Sequence, residues 1–154
     1  MDGGVVKPQA DRLDISVYPH KVEIQTRFAD VDLQRHLNNV RIVEIYQEAR
    51  ASFNQVLWER SALDAAKRRL LVARQSIDYL GEVEWPGPVT IGVGVSHTGK
   101  TSYSIGLGMF QNGRCMGVSD VVLVYATENG PTPMPDDIRE LVASKSLLPK
   151  AQST

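Results

Sequence analysis

Apolar and polar residues alternate near the start of the chain. Val22, Ile24, Thr26 and Phe28 fall on one side and Lys21, Glu23, Gln25 and Arg27 on the other, which is the two-residue period of a half-buried strand. From Val40 the period changes. Val43, Tyr46, Ala49, Phe53 and Val56 recur at helical spacing to about Trp58, and Ile42 and Ile45 widen the stripe. The pattern predicts a long helix, apolar around most of its first half and largely buried, capped by Asn38 or Asn39. A second, short helix is predicted over 61–69, with Ser61 as cap, Asp64 early and Lys67, Arg68 and Arg69 late, as the peptide dipole favours.

Beyond Leu70 the period returns to two. Leu71 to Leu80 is β-prone, and Trp85-Pro86-Gly87-Pro88 interrupts the chain before the next strand. Val89, Ile91, Val93 and Val95 alternate with Thr90, Gly92, Gly94 and Ser96; Tyr103, Ile105, Leu107 and Met109 alternate with Ser104, Gly106 and Gly108. Asn112-Gly113 signals a tight hairpin. The last strand, Arg114 to Ala126, is apolar on both faces from Val121 to Tyr125, which predicts cover on both sides. Asp120 interrupts its apolar run and needs a partner if buried. Pro133-Met134-Pro135-Asp136-Asp137 opens a short helix to about Ala143, with Pro135 near its first turn. The order strand, long helix, short helix, four strands predicts an α+β fold: a curved antiparallel sheet wrapped around one central helix. Residues 1–16 and 145–154 show no period and are expected to be tails around a single domain at 17–144. Such a sheet leaves an edge open, so a homodimer, or a homotetramer if the Gly-rich face is a second interface, is expected.

Composition narrows the classes. A chain of 154 residues with 42% hydrophobic residues suits one domain with a core. The formal charge of −1 argues against nucleic acid as a partner. No apolar run approaches membrane-spanning length, and residues 1–14 lack the basic and apolar regions of a signal peptide. Cys115 is the single cysteine, which fits a reducing compartment and too few thiols for most structural zinc sites. A cytoplasmic domain is the expectation.

The chemistry concentrates between Phe28 and Arg50. Asp30, Asp32, Gln34, His36, Asn38 and Asn39 gather where the long helix must begin. A helix start offers unpaired N–H groups and the positive end of the dipole. Those donors can hold an oxyanion while a carboxylate or imidazole moves protons. The spacing of Asp32 and His36 also resembles that of paired metal ligands on a helix, but the segment precedes the cap and no further ligand supports a metal site. A simpler role for both is bracing the loop. Glu44 and Glu48, one turn apart, read as a solvated face or a tie to Arg41.

Asp30-Val-Asp32-Leu-Gln34-Arg-His36-Leu-Asn38-Asn39, followed by Tyr46, Glu48, Ala49 and Arg50, resembles the hot-dog fold acyl thioesterases. The nearest group is the 4-hydroxybenzoyl-CoA thioesterase-like branch, with its long-chain acyl-CoA and acyl-ACP hydrolases. The likeness continues through Ile77-Asp78-Tyr79-Leu80, Gly99-Lys100-Thr101-Ser102-Tyr103 and Pro133 to Arg139, and covers roughly Val22 to Leu141. It implies a dimeric hot-dog fold with active sites at the subunit interface. It implies hydrolysis of an acyl-CoA, or of an acyl carrier protein thioester, without metal or redox cofactor. By position, Asp32 matches the family's catalytic aspartate, a nucleophile or general base, and Asn39 supplies the oxyanion-binding backbone amide. His36 matches the histidine of the acyl-ACP branch. Gln34 stands where that branch has Asn, a departure from its pattern. Lys100, with Thr101 beside it, is positioned to meet a coenzyme A phosphate, and Arg74 is a further phosphate candidate. Two other classes fit the same fold: a non-catalytic acyl-binding subunit and a dehydratase acting on acyl thioesters.

Overall fold

A computed structural model describes residues 9–59 and 68–150. The helix expected over 61–69 falls almost wholly outside the described residues. Alternation at Val22 and Ile24 yields β1 (His20–Gln25), and the helical stripe yields α1 (Asn39–Glu59). The strands that follow are β2 (Arg69–Tyr79), β3 (Pro88–Thr98), β4 (Ser102–Gln111), β5 (Arg114–Thr127) and the two-residue β6 (Gly130–Pro131); α2 (Asp136–Ala143) closes the order. The sheet runs β1-β3-β4-β5-β2, with every pairing antiparallel and β6 beside β5. At the β4–β5 hairpin Asn112 and Gly113 both take positive φ, 51° and 76°, the backbone that a two-residue turn between twisted strands requires.

The sheet curls around α1. Ile42, Ile45, Tyr46, Ala49, Phe53 and Leu57 form the buried stripe of the helix. It packs on the inward residues of β3, β4 and β5, Ile91, Ile105 and Val121 among them. The opposite side of the helix differs from expectation: Val40 is 66% exposed and Val43 half-buried, because a single sheet covers only one flank. Likewise Val122 and Val124, on the outer face of β5, remain half-buried. β2 lies at an edge of the sheet and exposes Leu71, Val72 and Tyr79, with Leu80 just beyond it.

The Gly-rich outer face is covered by the chain itself. Residues 10–16, expected in a loose tail, form two 3-10 turns with Val17, and Arg12 and Tyr18 lie down on β3, β4 and β5. Arg12 donates to Asp120 Oδ1 at 2.9 Å, to the Ser119 carbonyl at 3.1 Å and to the Tyr18 hydroxyl at 3.2 Å, so Asp120 has its partner. From the other end of the chain, Val95 and Lys145 to Leu147 exchange backbone hydrogen bonds of 2.8 and 2.9 Å, and the Leu148 N–H reaches the Val17 carbonyl at 2.7 Å. Neither segment has a periodic pattern because each adapts to a surface rather than forming one.

A Cβ at Gly92 would stand 2.5 Å from the Tyr18 ring. Gly92→Ala is therefore expected to displace this strap and cost about 2 kcal/mol by overpacking, read as a lowered midpoint in denaturant; an unchanged midpoint would mean that the strap yields freely.

Candidate functional site

The site is built on an anchored loop. Within a 3-10 turn (Phe28–Asp30), Asp30 is 4% exposed and its carboxylate takes four hydrogen bonds from Arg27, the backbone N–H at 2.9 Å and guanidinium contacts of 2.7, 3.1 and 3.3 Å. Arg41 Nε, in the first turn of α1, lies 3.2 Å from Asp30 Oδ2 as an ion pair. Burial alone would raise this carboxyl; the Arg27 hydrogen bonds and the Arg41 charge outweigh it and hold the group below the usual carboxylate range. The Asn38 N–H donates to the Asp30 carbonyl at 2.8 Å and the Leu37 N–H to the Val83 carbonyl at 2.9 Å. Both ends of the loop are thus fixed to the fold.

Between those anchors the chain doubles back. Val31 bridges Leu37, Arg35 turns with φ 67°, and the Asp32 N–H donates to the His36 carbonyl at 2.9 Å. Asp32 Oδ1 accepts the Gln34 and His36 N–H groups at 2.9 and 3.2 Å, so this oxygen braces the turn. Asp32 and His36 are therefore neighbours through a closed loop and not through a helical face. The His36 imidazole reaches the other way, its Nε2 3.0 Å from Glu82 Oε2. The helix begins immediately after: Asn38 Oδ1 accepts the Val40 N–H at 2.8 Å and its carbonyl accepts the Ile42 N–H at 3.1 Å. Asn38 is the cap and Asn39 the first helical residue, with an N–H that has no acceptor inside the helix.

Asp32, Gln34, His36 and Asn39 line one cleft of about 400 Å³ together with Tyr79 and Glu82. A carboxylate and a helix-terminal donor facing one space can activate a nucleophile and stabilise the oxyanion it generates. Glu82 is the residue that sequence reasoning missed. Its local pattern carries no signal; the Leu37–Val83 hydrogen bond and the His36–Glu84 bridge bring its segment beside His36. Glu44 pairs with Arg41 at 3.3 Å, and Glu48 is exposed. Among the described residues, no group of three or more His, Cys, Asp or Glu side chains is arranged to hold a metal ion.

The other candidates lie apart. Arg74 is exposed on β2 opposite Val122. Lys100 and Thr101 form the β3–β4 turn, where their carbonyls accept the Met134 and Tyr125 N–H groups at 2.9 and 2.8 Å. The Asp32 loop follows β1, whose Gln25 pairs with Pro88 at the start of β3, and Lys100 follows Thr98 at its end. Within one protomer the two sit toward opposite ends of that strand, whose contour length is about 33 Å.

Beside the cleft are further polar groups. Tyr46 Oη, Ser119 Oγ and Gln75 Nε2 are buried without a hydrogen-bond partner, each a cost of about 1–3 kcal/mol. Burial pushes the Tyr46 hydroxyl far above the usual tyrosine range.

A family model described as the thioesterase-like superfamily matches residues 26–142. No match to the curated proteins was found. Among solved structures, a thioesterase complexed with coenzyme A and Zn from Thermus thermophilus is 27% identical. It covers 83% of this chain and 95% of its own, with a TM-score of 0.71. A protein from Pseudomonas aeruginosa strain PAO1, also 27% identical, covers 85% and 94% with a TM-score of 0.70. A predicted thioesterase from Bacillus stearothermophilus, at 24% identity, covers 84% and 97% with a TM-score of 0.74 and speaks for the fold alone.

Proposed function

The chain belongs to the thioesterase-like superfamily, and from that premise we propose that it hydrolyses acyl-CoA thioesters in the cleft at the head of α1. The observation that supports this reading is that Asp32 and Asn39, the first residue of α1, line one cleft. The Asn39 amide polarises the thioester carbonyl and receives the charge that develops on its oxygen. Asp32 supplies the attack through the oxygen that is not bracing the loop. As general base it takes a proton from water, whose oxygen adds to the carbonyl carbon; the C–S bond then breaks and coenzyme A leaves as a thiolate that takes up the proton. As nucleophile it forms a mixed anhydride with release of the thiolate, and water then cleaves the anhydride. After a single turnover in ¹⁸O-water, label in Asp32 identifies the anhydride route, through attack of water at the aspartyl carbon. Gln34 and His36, held by the same turn, orient the water or the acyl group, and Glu82 fixes the imidazole.

The acting form is a homodimer joined through β2. This strand is an edge with Leu71, Val72 and Tyr79 exposed, and an unpaired apolar edge is a template for a second copy. Antiparallel pairing of two β2 edges sets the Arg69 end of one beside the Tyr79 end of the other. It carries the Lys100–Thr101 turn of one protomer toward the Asp32 cleft of its partner, where Lys100, Thr101 and Arg74 meet the phosphates of coenzyme A. Val72→Lys, a charge on that edge, is expected to yield monomer by light scattering with at least tenfold less activity; a variant that stays dimeric would place the interface elsewhere.

The test of function is release of free thiol from a panel of acyl-CoAs by the pure protein. Turnover supports the reading. Binding without thiol release assigns an acyl-binding subunit instead, and hydration of a 2-enoyl-CoA assigns a dehydratase.

A further inference from the structure

On the inner face of the sheet, Gly117, Ser119 and Val121 of β5 stand opposite Tyr79, Ile77 and Gln75 of β2. Tyr79 lines the cleft, so this ladder starts at the cleft wall and leads inward beside α1. A Cβ on Gly117 would lie 2.7 Å from the Tyr46 hydroxyl, which places that hydroxyl on the first rung. Ser119 Oγ is on the second and Gln75 Nε2 on the third, a run of about 13 Å. Tyr46 and Ser119 are each 1% exposed, and none of the three polar atoms has a hydrogen-bond partner. A fold with no use for them would carry Phe, Ala and Leu there at no cost in packing. Buried polar groups of this kind are normally satisfied, and each exception calls for a reason.

We propose that Tyr46, Ser119 and Gln75 form the specificity wall of the acyl site, and that the preferred substrates are acyl thioesters bearing a hydroxyl or oxo group along the chain. The inference rests on the acyl-CoA reading above and refines it. An acyl group entering from the cleft between α1 and the β2–β5 ladder meets these atoms in order. An oxygen on the chain supplies the missing partner, whereas a plain alkyl chain displaces any water there and leaves the three groups unpaired. Sites built to hydrogen-bond a substrate hydroxyl reject the analogue that lacks it far more strongly than apolar pockets distinguish a methylene.

The experiment uses ketone analogues of octanoyl-CoA, with a methylene between sulfur and carbonyl, carrying either no substituent or one hydroxyl at successive carbons. Binding is measured by calorimetry, and hydrolysis of the matching thioesters in parallel. At least one hydroxylated ligand is expected to bind about tenfold more tightly than the unsubstituted one, with the same order in kcat/KM. That ratio is expected to fall toward one in Tyr46→Phe or Ser119→Ala. Tyr46→Phe removes a hydroxyl that makes no hydrogen bond, so the variant folds, and its melting curve verifies this. Equal binding of all ligands, or a preference that both variants retain, overturns the inference even if hydrolysis proceeds. Selective binding without thiol release keeps the inference and removes the hydrolase reading. Failure of every ligand to bind overturns both.

Discussion

Asp32→Asn is expected to lower thiol release from acyl-CoA by about a thousandfold, within the range that a positioned base or nucleophile contributes, while leaving the melting temperature nearly unchanged. The two halves of this expectation come from the two oxygens of one carboxylate. Oδ1 accepts the Gln34 and His36 N–H groups and shapes the turn. An asparagine keeps a carbonyl oxygen for that task and loses only the charge and basicity needed for the chemistry. Asp32→Ala removes both, so it is expected to show the same loss of activity together with a looser loop, visible as faster amide exchange at Gln34 and His36. If Asn retained both activity and stability while Ala alone loosened the loop, Asp32 would be a brace alone.

Asp30→Asn is expected to do the reverse, destabilising the fold before any question of chemistry. The substitution leaves Arg41, largely buried, facing a neutral amide, and breaks the grip of Arg27. Removing one member of a fully buried pair costs about 3–5 kcal/mol. Because the Arg27 side chain is 62% exposed, about 2–3 kcal/mol is the better figure here, a fall in melting temperature of about 5–10 °C. The pH dependence follows from the lowered carboxyl. A group whose folded value lies below its unfolded one stabilises the fold above the ordinary carboxylate pKa, and this contribution disappears as pH falls through the folded value. The gap between wild type and Asp30→Asn in denaturant is therefore widest at neutral pH and narrows on acidification. A gap of constant size across that range would mean that packing, and not charge, is what Asp30 contributes.

The legible parts of this protein are those in which one segment determines its own state. The period-two strands, the Asn-Gly hairpin and the cap at Asn38 are written locally, and so is the polar stretch opening α1. The resemblance to the thioesterases rested on that stretch and was met by the family match over residues 26–142. What sequence could not supply was decided by distant partners. Arg12 reads as a charge in a featureless tail, yet it lies across Gly106 because Ser119 and Asp120 offer acceptors there. Glu82 stands beside His36 because Leu37 bonds to Val83 and His36 bridges Glu84. Tyr46 fits the apolar stripe of α1, and only the fold sets its hydroxyl against Gly117 of β5. Breadth of apolar surface misled in the other direction: Ile42, Val43 and Ile45 suggested a first half largely buried, whereas one sheet covers one flank and leaves Val40 exposed and Val43 half-buried.

The most direct test of the account is a structure of the protein with a ketone analogue of an acyl-CoA bound. The account predicts the analogue's carbonyl oxygen about 3 Å from the Asn39 N–H, and the Asp32 carboxylate within about 3.5 Å of the carbonyl carbon or of a water aimed at it. A carbonyl docked away from the head of α1, with Asp32 turned into open solvent, would contradict it.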